Sequence, residues 1–134
     1  IKEIKVAKVL KTDSDYGRAF VIAVETEKQS QAIRDPVTRI EKLMESIKQF
    51  EEAALFAEQD GQLINALTRR NKLRENVITL SVSYIESKIA KSDLGGVDAQ
   101  SLLNLLDQAE SFTGKQKSLK KIEGLREKIV AREE

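Results

Sequence analysis

The chain has 134 residues, enough to bury a core without disulfide or metal staples. It is 34% charged and only 4% aromatic, with no tryptophan, histidine or cysteine. The two absences exclude imidazole-based dyads and triads, thiol nucleophiles, ordinary zinc sites and any disulfide framework. A net charge of +1 supplies no global field for nucleic acid or membrane, and the composition is closer to helical bundles and coiled coils than to catalytic domains.

Residues 1–27 do not segregate on a helical wheel and fit better as two strands. Ile4, Val6 and Leu10 share one face of the first, and Phe20, Ile22 and Val24 share one face of the second. Thr12 to Gly17 is dense in turn formers, so an N-terminal β-hairpin is expected. The run Ala19 to Val24 is apolar on both strand faces. Such a ribbon needs cover from the helices, from another chain's strand or from a larger sheet. Residues 25–34 are polar and suit a linker.

Asp35-Pro36 is a firm helix start, an N-cap residue followed by a proline whose missing N–H costs nothing at the first helical position. Val37, Ile40, Met44, Ile47, Phe50 and Ala54 then recur at spacings of three and four, flanked by Leu43 and Leu55. Asp60-Gly61 predicts a break before a second long helix, Leu63 to Lys91. That helix carries one stripe of Leu73, Val77, Leu80 and Tyr84 and another of Ile78, Ser81, Ile85 and Ile89, a face wide enough for two neighbours. Ser92 to Gly96 is the clearest loop. After it Asp98 can cap a helix through Leu102, Leu103, Leu105, Leu106, Ala109 and Phe112, whose crowded leucines suggest burial on more than one side. Thr113 and Gln116 have capping-box spacing ahead of a last helix with Leu119, Ile122, Leu125 and Ile129 on one face and charges of alternating sign elsewhere.

Few motifs with chemistry survive. Asp13, Ser14 and Asp15 lack the downstream glutamate of an EF-hand and suit a turn. Ser118 and Lys121 match S-x-x-K, a spacing that a lysine-rich chain meets by accident. Gly95-Gly96 precedes a helix without a Walker lysine or G-x-G-x-x-G spacing. Paired carboxylates such as Glu51-Glu52 are neighbours on a solvated helix, not groups facing each other across a cleft. No catalytic, cofactor or metal residue is therefore expected.

The expected fold is mainly α: an N-terminal β-hairpin (1–27) followed by a four-helix antiparallel bundle (36–134), together a single domain. The expected function is a non-enzymatic protein–protein interaction module, an adaptor, assembly factor or chaperone-like helical protein. It could bind itself through Val9, Phe20 and Ile22 of the hairpin or through Leu119, Ile122, Leu125 and Ile129 of the last helix, although each of these also suits the domain's own core. The alternative is nucleic-acid association through two basic patches, Arg69, Arg70, Lys72 and Arg74, and Lys115, Lys117, Lys120 and Lys121. Aromatics for stacking on bases are missing there. With no membrane-length apolar run and no signal-peptide layout, a cytoplasmic location is expected, although the isoleucine at position 1 leaves room for processing.

Overall fold

The computed structural model describes residues 14–90 and 99–133. Five helices are present among them: α1 (Asp15–Gln31), α2 (Pro36–Leu55), α3 (Asp60–Ala90), α4 (Ala99–Phe112) and α5 (Gln116–Glu133). The described residues contain no strand, so the expected β-hairpin is corrected. Its second strand and residues 14–17 of its turn are helix α1 with the N-cap ahead of it, while Thr12, Asp13 and the first strand, with Val9, lie outside the described residues.

The reason lies in size rather than hydropathy. Ser14 takes an extended conformation and its hydroxyl accepts from the Gly17 N–H at 2.9 Å, which nucleates a first turn that also carries Asp15 at the positive end of the helix. The buried positions of α1 are Gly17, Ala19, Ala23, Thr26 and Ser30, small residues recurring at helical spacing. Thr26 and Ser30 return their hydroxyls to the backbone of their own helix, at Ile22 O and Glu27 O, so neither is buried with an unmet donor. A hydropathy pattern overlooks such a face, because the most apolar residues, Val21 and Ile22, sit on the outside.

Contacts divide the chain into two units, Ile1–Leu73 and Arg74–Glu134, with α3 contributing to both. In the first unit α1 and α2 run antiparallel. Phe20 meets Phe50 edge-on with centroids 5.3 Å apart, and the buried Ser46 hydroxyl donates to the Ala23 carbonyl at 2.8 Å. A side chain as short as serine reaches the facing backbone only where the helices approach closely, which the alanines of α1 permit. Ile40, Leu43, Ile47, Phe50 and Ala53 form the inner face of α2. Ala19, Ala53 and Ala66 form a cluster joining all three helices.

Asp35 caps α2 as expected, its carboxylate accepting from the Thr38 N–H at 2.9 Å and from the Thr38 hydroxyl at 2.7 Å. The break before α3 comes earlier than Asp60-Gly61. Helix α2 ends at Leu55, and Gly61 falls in the first turn of α3. There Gln62 reaches back to accept from the N–H groups of Glu58 and Gln59, the reciprocal half of a capping box.

The second unit packs Ile78, Val82 and Ile85 of α3, Ala99, Leu102, Leu106 and Ala109 of α4, and Ile122, Leu125 and Ile129 of α5 into one core. Leu103, Leu105 and Phe112 pack against it from the flanks, which accounts for the crowded leucines of α4. Helix α5 starts at Gln116. Thr113 acts one turn before it, its hydroxyl accepting from the Lys115 N–H at 3.1 Å, in place of the expected capping box.

Candidate functional site: an apolar helix-hairpin end

Where α2 gives way to α3, the chain exposes side chains that a core would ordinarily take. Leu55 is 85% and Ile64 63% exposed, with Phe56 and Leu63 also open to solvent. Leu55, Leu63 and Ile64 flank the turn of residues 56–59, and Phe56 is its first residue. The stripe of α2 passes through Phe50 and Ala53, so Leu55 falls off it and points away from the core. In α3 the core begins at Ala66, leaving Leu63 and Ile64 ahead of the buried face.

Beside these residues lies an open cleft of about 550 Å³, lined by Ser14, Asp15 and Tyr16 from the start of α1, by Leu55 and Phe56 from the end of α2, and by Ala57, Glu58 and Gln62. Tyr16 closes one wall by donating its hydroxyl to the Gln62 carbonyl at 3.0 Å. Burial pushes the Tyr16 phenol above its ordinary value, with a hydrogen bond to the Asn65 side chain pulling the other way. Of the hydroxyls that line the cleft, Ser14 is engaged in capping α1 and Tyr16 in the bond to Gln62.

Neither a protein-family model, a curated protein nor a solved structure matches the chain.

The sequence-derived partner residues separate in the structure. Ile22 is exposed on α1, while Phe20 is half-buried between Tyr16 and Phe50. Ile122, Leu125 and Ile129 belong to the core of the second unit, and Leu119 is half-buried. The basic residues are largely engaged within their own units. Arg69 lies 3.1 Å from Glu27 and stands over the rings of Phe20 and Phe50, 5.7 and 5.4 Å from their centroids. Arg70 pairs with Glu51 at 3.7 Å and donates to the Asn71 side chain. Arg74 stacks over Phe112 at 5.2 Å. Lys115 pairs with Glu75 at 3.4 Å and Lys121 with Glu86 at 3.2 Å, while Lys72, Lys117 and Lys120 are exposed.

Ser118 and Lys121 share the wall of a groove of about 200 Å³ with Ile78, Thr79, Val82, Ser83 and Glu86, but the ammonium of Lys121 is spent on Glu86. On α5, Arg126 gathers Glu123, Asp107 and Glu110 at 2.7 to 2.9 Å. Hydrogen bonding to Glu110 above all, aided by Asp107 and Glu123 and opposed by burial, holds its guanidinium above the ordinary arginine value, as expected of a tie between α4 and α5. Among the described residues no three carboxylates converge as a metal site, and no helix is long and apolar enough to cross a membrane. Asp15, from the turn tested as a calcium loop, pairs with Arg18.

The apolar hairpin end was missed in the sequence, although a signal was present. Leu55-Phe56 and Leu63-Ile64 are apolar pairs on either side of a polar turn.

Proposed function

We propose that this chain is a non-enzymatic interaction module that docks a protein partner on the apolar end of its α2–α3 hairpin. The observation that carries this reading is the exposure of Leu55, Phe56, Leu63 and Ile64 around one turn. Large apolar side chains exposed together around a loop are more costly to leave in water than isolated ones and are characteristic of contact surfaces. The three helices beneath them are fixed by the Ala19–Ala53–Ala66 contacts and the Tyr16–Gln62 hydrogen bond, which gives the surface a pre-organised shape. Nucleic-acid association has less support, since Arg69, Arg70, Lys115 and Lys121 are each held by a carboxylate.

Site-specific photo-crosslinking in the native host tests the reading. A photoreactive side chain at position 55 or 64 should give a discrete heavier adduct, and one at exposed Lys28 should not. Equal labelling at all three positions, or none at 55 and 64, contradicts it.

A further inference from the structure

We infer that the partner received by the apolar end of the first unit is a basic amphipathic protein segment, whose aliphatic anchors meet Leu55, Phe56, Leu63 and Ile64 and whose lysines or arginines meet a rim of carboxylates. The inference rests on the reading of that end as a docking surface and gives the chemistry of what docks there.

The rim follows from helical register. Residues three and four apart on a helix are surface neighbours, with about 5–6 Å between their Cβ atoms. Glu52 stands three residues before Leu55 and four before Phe56, and Asp60 stands three before Leu63 and four before Ile64. Each apolar pair therefore has one carboxylate a turn ahead of it on the same side of its helix. Between the two, Glu58 lines the cleft. Glu52, Glu58 and Asp60 are all exposed, and among the described residues no ion pair holds any of them.

Little positive charge offsets the rim. From Glu51 to Thr68 the chain has no lysine or arginine. Of the cations on the helices of this unit, Arg18 is paired with Asp15, Arg69 with Glu27 and Arg70 with Glu51, while Lys48 is exposed about two turns before Leu55. The turn is thus locally acidic in a chain whose net charge is +1.

That sign selects among occupants. A second copy docking face to face would set Glu52, Glu58 and Asp60 against their own images, and a nucleic acid or an anionic bilayer would bring phosphates to them. All three meet repulsion. A segment with lysine or arginine a turn away from its own aliphatic residues presents the opposite sign at the matching spacing. Its charges steer the encounter and fix the register, while its aliphatics supply the buried area.

The absence of tryptophan in this chain gives a direct assay. Two synthetic amphipathic peptides share one leucine pattern and a single tryptophan, the first with lysines on its polar face and the second with glutamates. Tryptophan emission reads affinity, and methyl chemical shifts of the full chain read the place of binding. The lysine peptide should bind about tenfold more tightly than the glutamate peptide and lose affinity as salt is raised. It should shift the methyl groups of Leu55, Leu63 and Ile64 and leave those of Val37, at the other end of α2, in place. Glu52→Gln, Glu58→Gln and Asp60→Asn combined, all at exposed positions, should weaken the lysine peptide about tenfold while the circular dichroism stays unchanged.

No binding of the lysine peptide, equal affinity for both peptides, or a triple variant that binds as the parent does overturns the inference. Concentration-dependent shifts of the same methyl groups in the chain alone, with a rise in mass by light scattering, overturn it in favour of a second copy. The same shifts on adding a nucleic acid duplex or anionic vesicles overturn it in favour of those classes. Crosslinking through positions 55 and 64 without a charge preference between the peptides removes only the basic partner, whereas loss of both results removes the docking surface as well.

Discussion

Replacing Ala23 by leucine and its neighbour Ile22 by alanine distinguishes the helix seen here from the strand that hydropathy suggests. Ala23 is wholly buried where α1 meets α2, and its carbonyl accepts the Ser46 hydroxyl at 2.8 Å. Leucine there adds three carbons to a filled contact, an overpacking cost of about 1–3 kcal/mol. Forcing the helices apart also weakens the Ser46 hydrogen bond, worth about 1 kcal/mol, so the expected loss is about 2–4 kcal/mol. Ile22 is 53% exposed, and truncating it removes about half of a burial worth roughly 1.5–3 kcal/mol, partly offset by the better helix propensity of alanine. Its cost should stay within about 1 kcal/mol. Urea unfolding followed by far-ultraviolet circular dichroism measures both. With a slope of about 2 kcal/mol/M, Ala23→Leu should lower the midpoint by about 1–2 M and Ile22→Ala by no more than about 0.5 M. In a strand Ile22 would face the core and the order would invert. A larger loss for Ile22→Ala than for Ala23→Leu refutes the placement of α1.

Phe50→Ala removes a fully buried ring that contacts Phe20 and lies beneath Arg69, and should cost about 3–5 kcal/mol in the same denaturation assay. Ser81→Ala should stabilise the chain by about 0.5–1.5 kcal/mol in thermal or urea unfolding, because the buried Ser81 hydroxyl has no hydrogen-bond partner among the described residues and alanine is the better helix former. The Thr38 hydroxyl, and after it the Thr38 N–H, holds the Asp35 carboxyl below its ordinary value. A depressed folded value means that the stabilisation is present above the unfolded value, about 3.9, and is lost as pH falls through the folded one. Asp35→Asn keeps an acceptor but does not titrate, so midpoints measured from about pH 5 down to pH 2 should fall less steeply than in the parent chain. Glu27→Gln leaves the Arg69 guanidinium over Phe20 and Phe50 but removes its carboxylate, and should cost no more than about 1 kcal/mol, with a smaller salt dependence of stability than the parent.

Much of the helical framework was legible because the sequence announces it locally. Asp35-Pro36 began α2 as expected, the stripe Ile40, Ile47 and Phe50 faced inward, and Ile122, Leu125 and Ile129 formed one buried face of α5. Residues 15–31 were misjudged because aliphatic alternation was weighed above the recurrence of Ala19, Ala23, Thr26 and Ser30, whose small size lets two backbones approach. The basic run around Arg69 and Arg70 suggested an open patch, since sequence spacing does not disclose that Glu27 and Glu51, from two other helices, meet it. The hairpin end was illegible for the opposite reason. Leu55 and Ile64 look like ordinary core residues until the positions of α1 and α2 show that nothing in the described first unit closes over them.

The order of residues alone determined that this sequence holds no imidazole or thiol, and that helices begin near Pro36 and repeat an apolar face through Phe50, Leu73, Leu106 and Ile129. Both follow from which atoms are present and from the 3.6-residue period, neither of which requires knowledge of distant neighbours. Only tertiary structure decided that α1 is a helix, that the Arg69 and Arg70 charges are answered, and which aliphatics stay in water. Those outcomes depend on distances between segments far apart in the chain. A side chain's period fixes the face it occupies, and the partner on that face is set by packing.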